Sequence, residues 1–317
     1  MDRVYDKISD REAFGLAVQH SMRLYPEVVA LAADTGKSMG FAAAGEEFPD
    51  RVFNVGIAEQ NMVNMAAGLA SVGKQVFIGT YSTFLTLRAL EQIRTFVCYP
   101  GLPVKMAGAL AGLSGGIEGT THQSVEDIAV MRALPGMNVI VPADASAAYA
   151  ATRAVALENV PVYIRLGRYA MPSVYGEDYV FNFGKARVLR DGTDVTIICC
   201  GTMVWRSLAA AEMLEDQRIS VRVLDMATIK PLDEEAVLCA AMETGAIVTA
   251  EEHSVIGGLG GAVAELLAEK RPTPVVRVGL RDCFAESAAQ ETLMDHYGLR
   301  VEDVVAAAKN VIERKGK

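Results

Sequence analysis

Short apolar runs alternate along this chain with longer stretches in which apolar positions recur every third or fourth residue. The short runs predict strands at Val28–Ala33, Val52–Val55, Gln75–Thr80, Val104–Gly108, Asn138–Val141 and Pro161–Arg165. After a break they resume at Asp194–Cys200, Ser220–Asp225, Gly245–Ala250 and Pro274–Val278. The helical period fills the intervals, at Asp10–Arg23, Ala58–Val72, Leu85–Phe96, Val125–Leu134 and Ala145–Leu157. Regular alternation of strand and helix predicts an α/β chain with mostly parallel sheets, doubly wound. The break is Tyr169–Asp194, "YAMPSVYGEDYVFNFGKARVLRDGTD", which holds a proline, several aromatics and no helical period. It divides the chain into two expected domains, 1–185 and 190–317, each within ordinary domain size.

Composition agrees and narrows the choice. The chain has 317 residues, 51% of them hydrophobic and only 7% aromatic, which suits helices packed on buried parallel strands and argues against disorder. The net charge is −9, and the only basic run is the terminal "ERKGK", so a nucleic-acid surface is not expected. No apolar run approaches the roughly 18 residues of a membrane span. The polar, mixed-charge start "MDRVYDKISDREAF" does not read as a secretory signal. The cysteines, Cys98, Cys199, Cys200, Cys239 and Cys283, lack CxxC spacing and lie mostly in apolar contexts. They read as reduced core residues of a cytoplasmic protein. His20, His122, His253 and His296 show no ligand spacing, so no zinc site is expected.

Two glycine-rich stretches invite a nucleotide reading and do not sustain it. "ADTGKSMG" ends like a P-loop, but Leu31 stands where the motif needs its first glycine. "GGLGGAV" offers Gly258 and Gly260, but Val263 stands at the third glycine position, so it reads as a strand-to-helix turn.

Chemistry concentrates between residues 53 and 122. In "FNVGIAEQNMVNMAAGLASVG" a strand ends, Gly56 relaxes the backbone, and Glu59 falls in the first turn of an apolar helix. By position alone that carboxylate could be simple dipole compensation. "YSTFLTLRALEQ" places Tyr81 and Phe84 at the end of the following strand, where open parallel sheets form their ligand crevice. "GLSGGIEGTTHQSVED", Gly112–Asp127, is a long polar connection of the kind that often carries function, with His122 near its far end.

Together these stretches resemble the pyrimidine-binding domain of the transketolase family of thiamine diphosphate enzymes. The resemblance is carried by "VGIAEQNMVNMAAGLA", "YSTFLTLRALEQ" and "EGTTHQSVEDIAVMRALPGMNVIVPAD". It extends into a second domain similar to that family's C-terminal domain, through "IKPLDEEAV", "EEHSVIGGLGGAV" and "FAESAAQETLMDHYGL". The resemblance implies that Glu59 bonds the cofactor's pyrimidine ring and favours its imino tautomer. An apolar setting, as around Ile57, Met62 and Val63, helps a carboxyl group share its proton in this way. It further implies that Phe84, Tyr81, Asp34 and Ile57 line the cofactor pocket, and that His122 contacts the substrate carbonyl region. Glu118 takes the place of an aspartate that reads a substrate hydroxyl. Arg11, Ser38 and Arg168 match a grip for the substrate's anionic end. Three departures stand out: Leu87 and Leu90 replace aromatics, and Leu110 replaces a histidine, which opens the substrate's anionic end to a sulfonate as well as a phosphate.

The family's diphosphate-binding "GDG" signature occurs nowhere in the chain. The resemblance therefore implies a split transketolase of which this is the C-terminal half. A separate N-terminal subunit carrying GDG would supply the ligands for Mg²⁺ or Ca²⁺, so none is expected here. An α2β2 heterotetramer would follow, with much of the apolar excess as interface and the second domain serving packing and dimerisation. Glu59 is then expected to need no basic partner within this chain. The alternatives are a 1-deoxyxylulose-5-phosphate synthase-like enzyme and the β-subunit of a 2-oxo acid dehydrogenase-like enzyme.

Overall fold

The computed structural model describes residues 4–315. Its first half holds strands β1 (Val28–Ala32), β2 (Val52–Asn54), β3 (Gln75–Tyr81), β4 (Val104–Ala109), β5 (Asn138–Ile140) and β6 (Val162–Arg165). Between them run helices α1 (Asp10–Leu24), α2 (Ala42–Glu47), α3 (Glu59–Ser71), α4 (Leu90–Gln92), α5 (Asp127–Ala133) and α6 (Ala145–Ala154). The second half holds β7 (Arg187–Arg190), β8 (Val195–Cys199), β9 (Val221–Asp225), β10 (Thr228–Lys230), β11 (Ile247–Ser254) and β12 (Val275–Leu280). Its helices are α7 (Met203–Glu215), α8 (Glu234–Thr244), α9 (Leu259–Lys270), α10 (Gln290–His296) and α11 (Val301–Glu313).

The strands assemble into a seven-stranded sheet, β10-β5-β6-β4-β3-β1-β2, and a five-stranded sheet, β12-β11-β8-β9-β7. Every pair is parallel except β10 with β5 and β7 with β9, so the α/β expectation with mostly parallel sheets is met. The reason is visible in the strands: β1, β4, β6 and β8 are buried throughout, so both faces must be covered by helices. Helix α1 begins with a capping box in which Ser9 and Glu12 satisfy each other's backbone, and it packs Ala13, Phe14 and Val18 into the core.

Three features were not expected. Strand β7 lies inside the stretch read as a break, and β10 crosses from the second half of the chain to edge the first sheet. Both are short, and β7 is largely exposed, so neither leaves a strong apolar signature. The third concerns the expected helix Leu85–Phe96. It is two looser π-turn segments, Phe84–Arg88 and Ile93–Cys98, flanking the short α4. The fully buried apolar residues here are Leu85, Ala89, Ile93 and Val97, spaced strictly by four. A repeat of four overshoots the 3.6 residues of an α-turn, and widened turns keep all four side chains on one face.

The cysteines are free, with Cys98, Cys199 and Cys200 buried, Cys239 half-buried and Cys283 exposed, so Cys283 departs from the core reading.

Candidate active site

The residues singled out from the sequence converge on the C-terminal ends of the first sheet's strands. Asp34 follows β1, Ile57 and Glu59 follow β2, Tyr81 ends β3 and Phe84 follows it, Glu118 and His122 follow β4, and Arg168 follows β6. In an open parallel sheet this edge collects ligands, because the chain turns away from it on both sides.

At the β2 end the Asn54 side chain organises the turn. Its Oδ1 accepts from the backbone N–H of Asp34 (2.9 Å) and of Gly56 (3.0 Å), and its Nδ2 donates to Asp34 Oδ1 at 3.2 Å. Asp34 and Gly56 both take left-handed backbone conformations there, at φ +59° and +75°. Ile57 stands on the lip, 75% exposed, while Glu59 is only 2% exposed in the first turn of α3. No side chain caps that helix start.

The expectation that Glu59 needs no basic partner in this chain is overturned. Arg88 Nη1 donates to Glu59 Oε2 at 2.7 Å. The cause is the π-turn: it stacks Arg88 over the ring of Phe84, four residues earlier, with the guanidinium carbon 4.4 Å from the ring centroid. Phe84 in turn meets His122 edge-on, with ring centroids 5.1 Å apart. Tyr81 closes the group at 6.1 Å from Phe84 and 6.2 Å from His122. Glu59, Arg88, Phe84, His122 and Tyr81 therefore form one continuous set of contacts drawn from three strand ends. Arg88 was legible in principle, through its spacing from Phe84 and the strict four-residue apolar repeat around it.

The three anion-grip residues are also drawn toward one place. Arg11 Nη1 donates to Ser38 Oγ at 2.5 Å. The buried Asp10 carboxylate accepts from the N–H of Arg11 (2.8 Å) and of Gly167 (2.7 Å), which ties the residue before Arg168 to the start of α1. Burial pushes the Asp10 carboxyl up to about 6. Arg168 is not free in this arrangement, because its Nη1 donates to the Glu118 carboxylate. The three departures also find their place. Leu110 is buried in the first sheet's core with a left-handed backbone (φ +55°), and Leu87 is exposed. Leu90 is half-buried against the core.

The set suits the pyrimidine half of thiamine diphosphate. A buried carboxylate can share a proton with a ring nitrogen, and an aromatic side chain can face the ring. Among the described residues no group of three or more His, Cys, Asp or Glu side chains is placed to hold a metal ion. No helix among them is long and apolar enough to cross a membrane.

Comparison with known proteins shows the family. Residues 6–173 match the family model "Transketolase, pyrimidine binding domain", and residues 184–304 match "Transketolase, C-terminal domain". The chain belongs to the transketolase family, an enzyme family that uses thiamine diphosphate. It is 45% identical to the 6-deoxy-6-sulfo-D-fructose transketolase subunit SqwH of Clostridium sp. (strain MSTE9), covering 91% of this chain and 89% of that one. It is 39% identical to a subunit of the apulose-4-phosphate transketolase of Phocaeicola vulgatus, covering 97% and 98%. A solved structure described as "Split gene transketolase, inactive beta4 tetramer" superposes with a TM-score of 0.92 at 48% identity, covering 97% of this chain and 99% of that one.

Proposed function

We propose that this chain is the C-terminal subunit of a split transketolase, moving a two-carbon ketol unit from a phosphorylated or sulfonated ketose to an aldose. The observation that carries the reading is the contact set Glu59–Arg88–Phe84–His122–Tyr81 at the C-terminal edge of the first sheet. When bound, thiamine diphosphate supplies the carbanion and the electron sink that ketol transfer needs. The chain's own residues do the rest. Glu59 would hold the proton of the pyrimidine ring nitrogen through its carboxylate. Arg88 holds the Glu59 carboxylate in place through its 2.7 Å bond to Oε2. Phe84 and Tyr81 exclude water from the ring, with Asp34 and Ile57 on the rim, and His122 moves a proton at the substrate oxygen. Two domains, 1–185 and 190–317, divide the work, the first carrying these groups.

Arg11, Ser38 and Arg168 hold the anionic end of the ketose. Glu118 on Arg168 cancels part of the positive charge of this grip, a balance that suits a monoanionic sulfonate better than a dianionic phosphate. Faster turnover of a sulfonated than of the matching phosphorylated ketose is the expected result.

A second chain with the GDG signature supplies the diphosphate and Mg²⁺ or Ca²⁺ ligands, in an α2β2 assembly. The surface that would receive it is apolar: Ile57, Met65, Val72, Leu87, Phe96 and Tyr99 are all exposed on or beside α3 and the π-turn segments. Six large exposed apolar side chains on neighbouring elements are the kind of surface that a partner covers. The deciding experiment is reconstitution. Purified alone, the chain is expected to show no ketol transfer, and activity should appear on adding the GDG-bearing subunit. Full activity alone, or turnover of pyruvate rather than xylulose 5-phosphate by the pair, would refute the proposal.

A further inference from the structure

The connection carrying Glu118 and His122 belongs to the first half of the chain by sequence, yet the second half holds it in shape. At its start, Leu113 N donates to Glu252 Oε1 at 2.9 Å, and Glu252 is a buried residue of β11. The same oxygen accepts from Gln290 Nε2 at 2.9 Å. Gly112 lies so close that a Cβ there would meet the Glu252 carboxyl carbon at 2.6 Å, and its φ is +62°. At the end of the connection, Arg165 Nη2 donates both to Ser124 O (3.2 Å) and to Glu252 O (2.9 Å). One residue of the second sheet is thereby tied to both ends.

The middle is held by the segment before α10. Thr120 Oγ1 donates to Ala285 O at 2.6 Å, and Gln123 Nε2 donates to Glu286 O at 2.9 Å. Gly116 and Gly119 leave no room for side chains, since a Cβ would meet Ala288 O at 2.3 Å and Ser287 Oγ at 2.5 Å. Leu113 and Val125 pack in the hydrophobic core of the second sheet, beside Ala285 and Leu293. A long glycine-rich connection would otherwise sample many conformations, and few of them would hold His122 against Phe84.

We propose that the second half of the chain acts as a clamp that sets the position of His122, with Glu252 as its main positioning residue. This rests on the reading of His122 as a group that meets substrate. Glu252 touches none of the proposed reacting groups; it fixes the backbone from which His122 reaches them. The C-terminal domain thus gains a part in turnover beyond packing and dimerisation.

The test uses two measurements. Amide hydrogen exchange of the full chain reads the clamp directly, and kinetics of the reconstituted pair reads its consequence. In Glu252→Ala, exchange across residues 112–124 should quicken at least about tenfold while β1, β3 and β4 stay protected. The kcat/KM per folded molecule should fall about tenfold to a hundredfold, the scale of a small misplacement of a reacting group. Glu252→Gln keeps the carbonyl acceptor for Leu113 N and should restore both readouts. Should Glu252→Ala fail to fold, Thr120→Val, which removes one bond at the surface, should move both in the same direction by less. Unchanged exchange over 112–124, or a loss of stability with unaltered kcat/KM, overturns the clamp. Full activity of His122→Ala would instead refute the reading of His122, and the exchange data would still judge the clamp.

Discussion

The two sheets each place a glutamate against the start of the helix that follows a strand, and the two carboxylates are used in opposite ways. In the second sheet, Glu251 on β11 turns into the N-terminus of α9, and its oxygens accept from Leu259 N (2.7 Å) and Gly260 N (2.8 Å). The glycine-rich turn "GGLGG" is therefore filled by the protein's own carboxylate, which takes up donors that a phosphate would need. In the first sheet, Glu59 sits in the first turn of α3 but bonds no helix N–H; its partner is the half-exposed Arg88. One carboxylate is consumed in making the fold. The other is held at the C-terminal edge of the first sheet by a half-exposed side chain. Position at a helix start does not by itself separate structure from chemistry; what the oxygens are bonded to does.

Substitution should break this contrast cleanly. The largest expected effect is Glu59→Gln, which should lower turnover of the reconstituted pair at least about a hundredfold while leaving the thermal midpoint nearly unchanged. Glu251→Ala should act mainly on stability, since two backbone donors lose a charged acceptor, at a cost of about 3 kcal/mol in denaturant unfolding. A stable but inactive Glu251 variant beside an active, unstable Glu59 variant would reverse the assignment. A smaller effect sharpens the role of Arg88. A double-mutant cycle of Glu59→Gln with Arg88→Met should give a coupling of only about 1 kcal/mol, because solvent reaches the guanidinium and screens the pair.

A separate effect, read only in the pH dependence of stability, concerns Asp10, the link between Arg11 and Gly167. Its carboxyl is pushed by burial from the ordinary 3.8 to about 6, so the folded chain binds this proton more tightly than the unfolded chain does. The associated stability is fully present below the unfolded value and is lost as pH rises through about 6. Asp10→Asn should flatten the dependence of the thermal midpoint on pH across that interval. An unaltered slope would show that Asp10 does not titrate there.

Much of the fold was legible because buried parallel strands must be apolar along their whole length. The predicted strands from Val28–Ala33 to Pro274–Val278 therefore fall where strands lie, within a few residues at their ends. Strands β7 and β10 are hidden from local pattern because they are short edge pieces whose partners are distant in sequence. The π-turns are hidden because a four-residue repeat resembles an ordinary helical period, although Leu85, Ala89, Ile93 and Val97 carry the difference.

For the candidate site, the sequence by itself determined which side chains were available and at which strand ends they would emerge. Glu59, Phe84, Tyr81 and His122 followed from local pattern and family resemblance, since each sits at or past the end of a strand whose place the apolar runs dictate. Tertiary structure decided what these groups touch. Arg88 reaches Glu59 only because the widened turn stacks it on Phe84. Glu118 neutralises Arg168 only because the β4 and β6 ends lie side by side. The second half of the chain grips the His122 connection through Glu252 and the Ala285 and Glu286 carbonyls, residues more than a hundred positions away. Strand identity is a property of neighbouring residues, whereas pairing of charges and bracing of loops depend on which distant segments the packed sheets bring together.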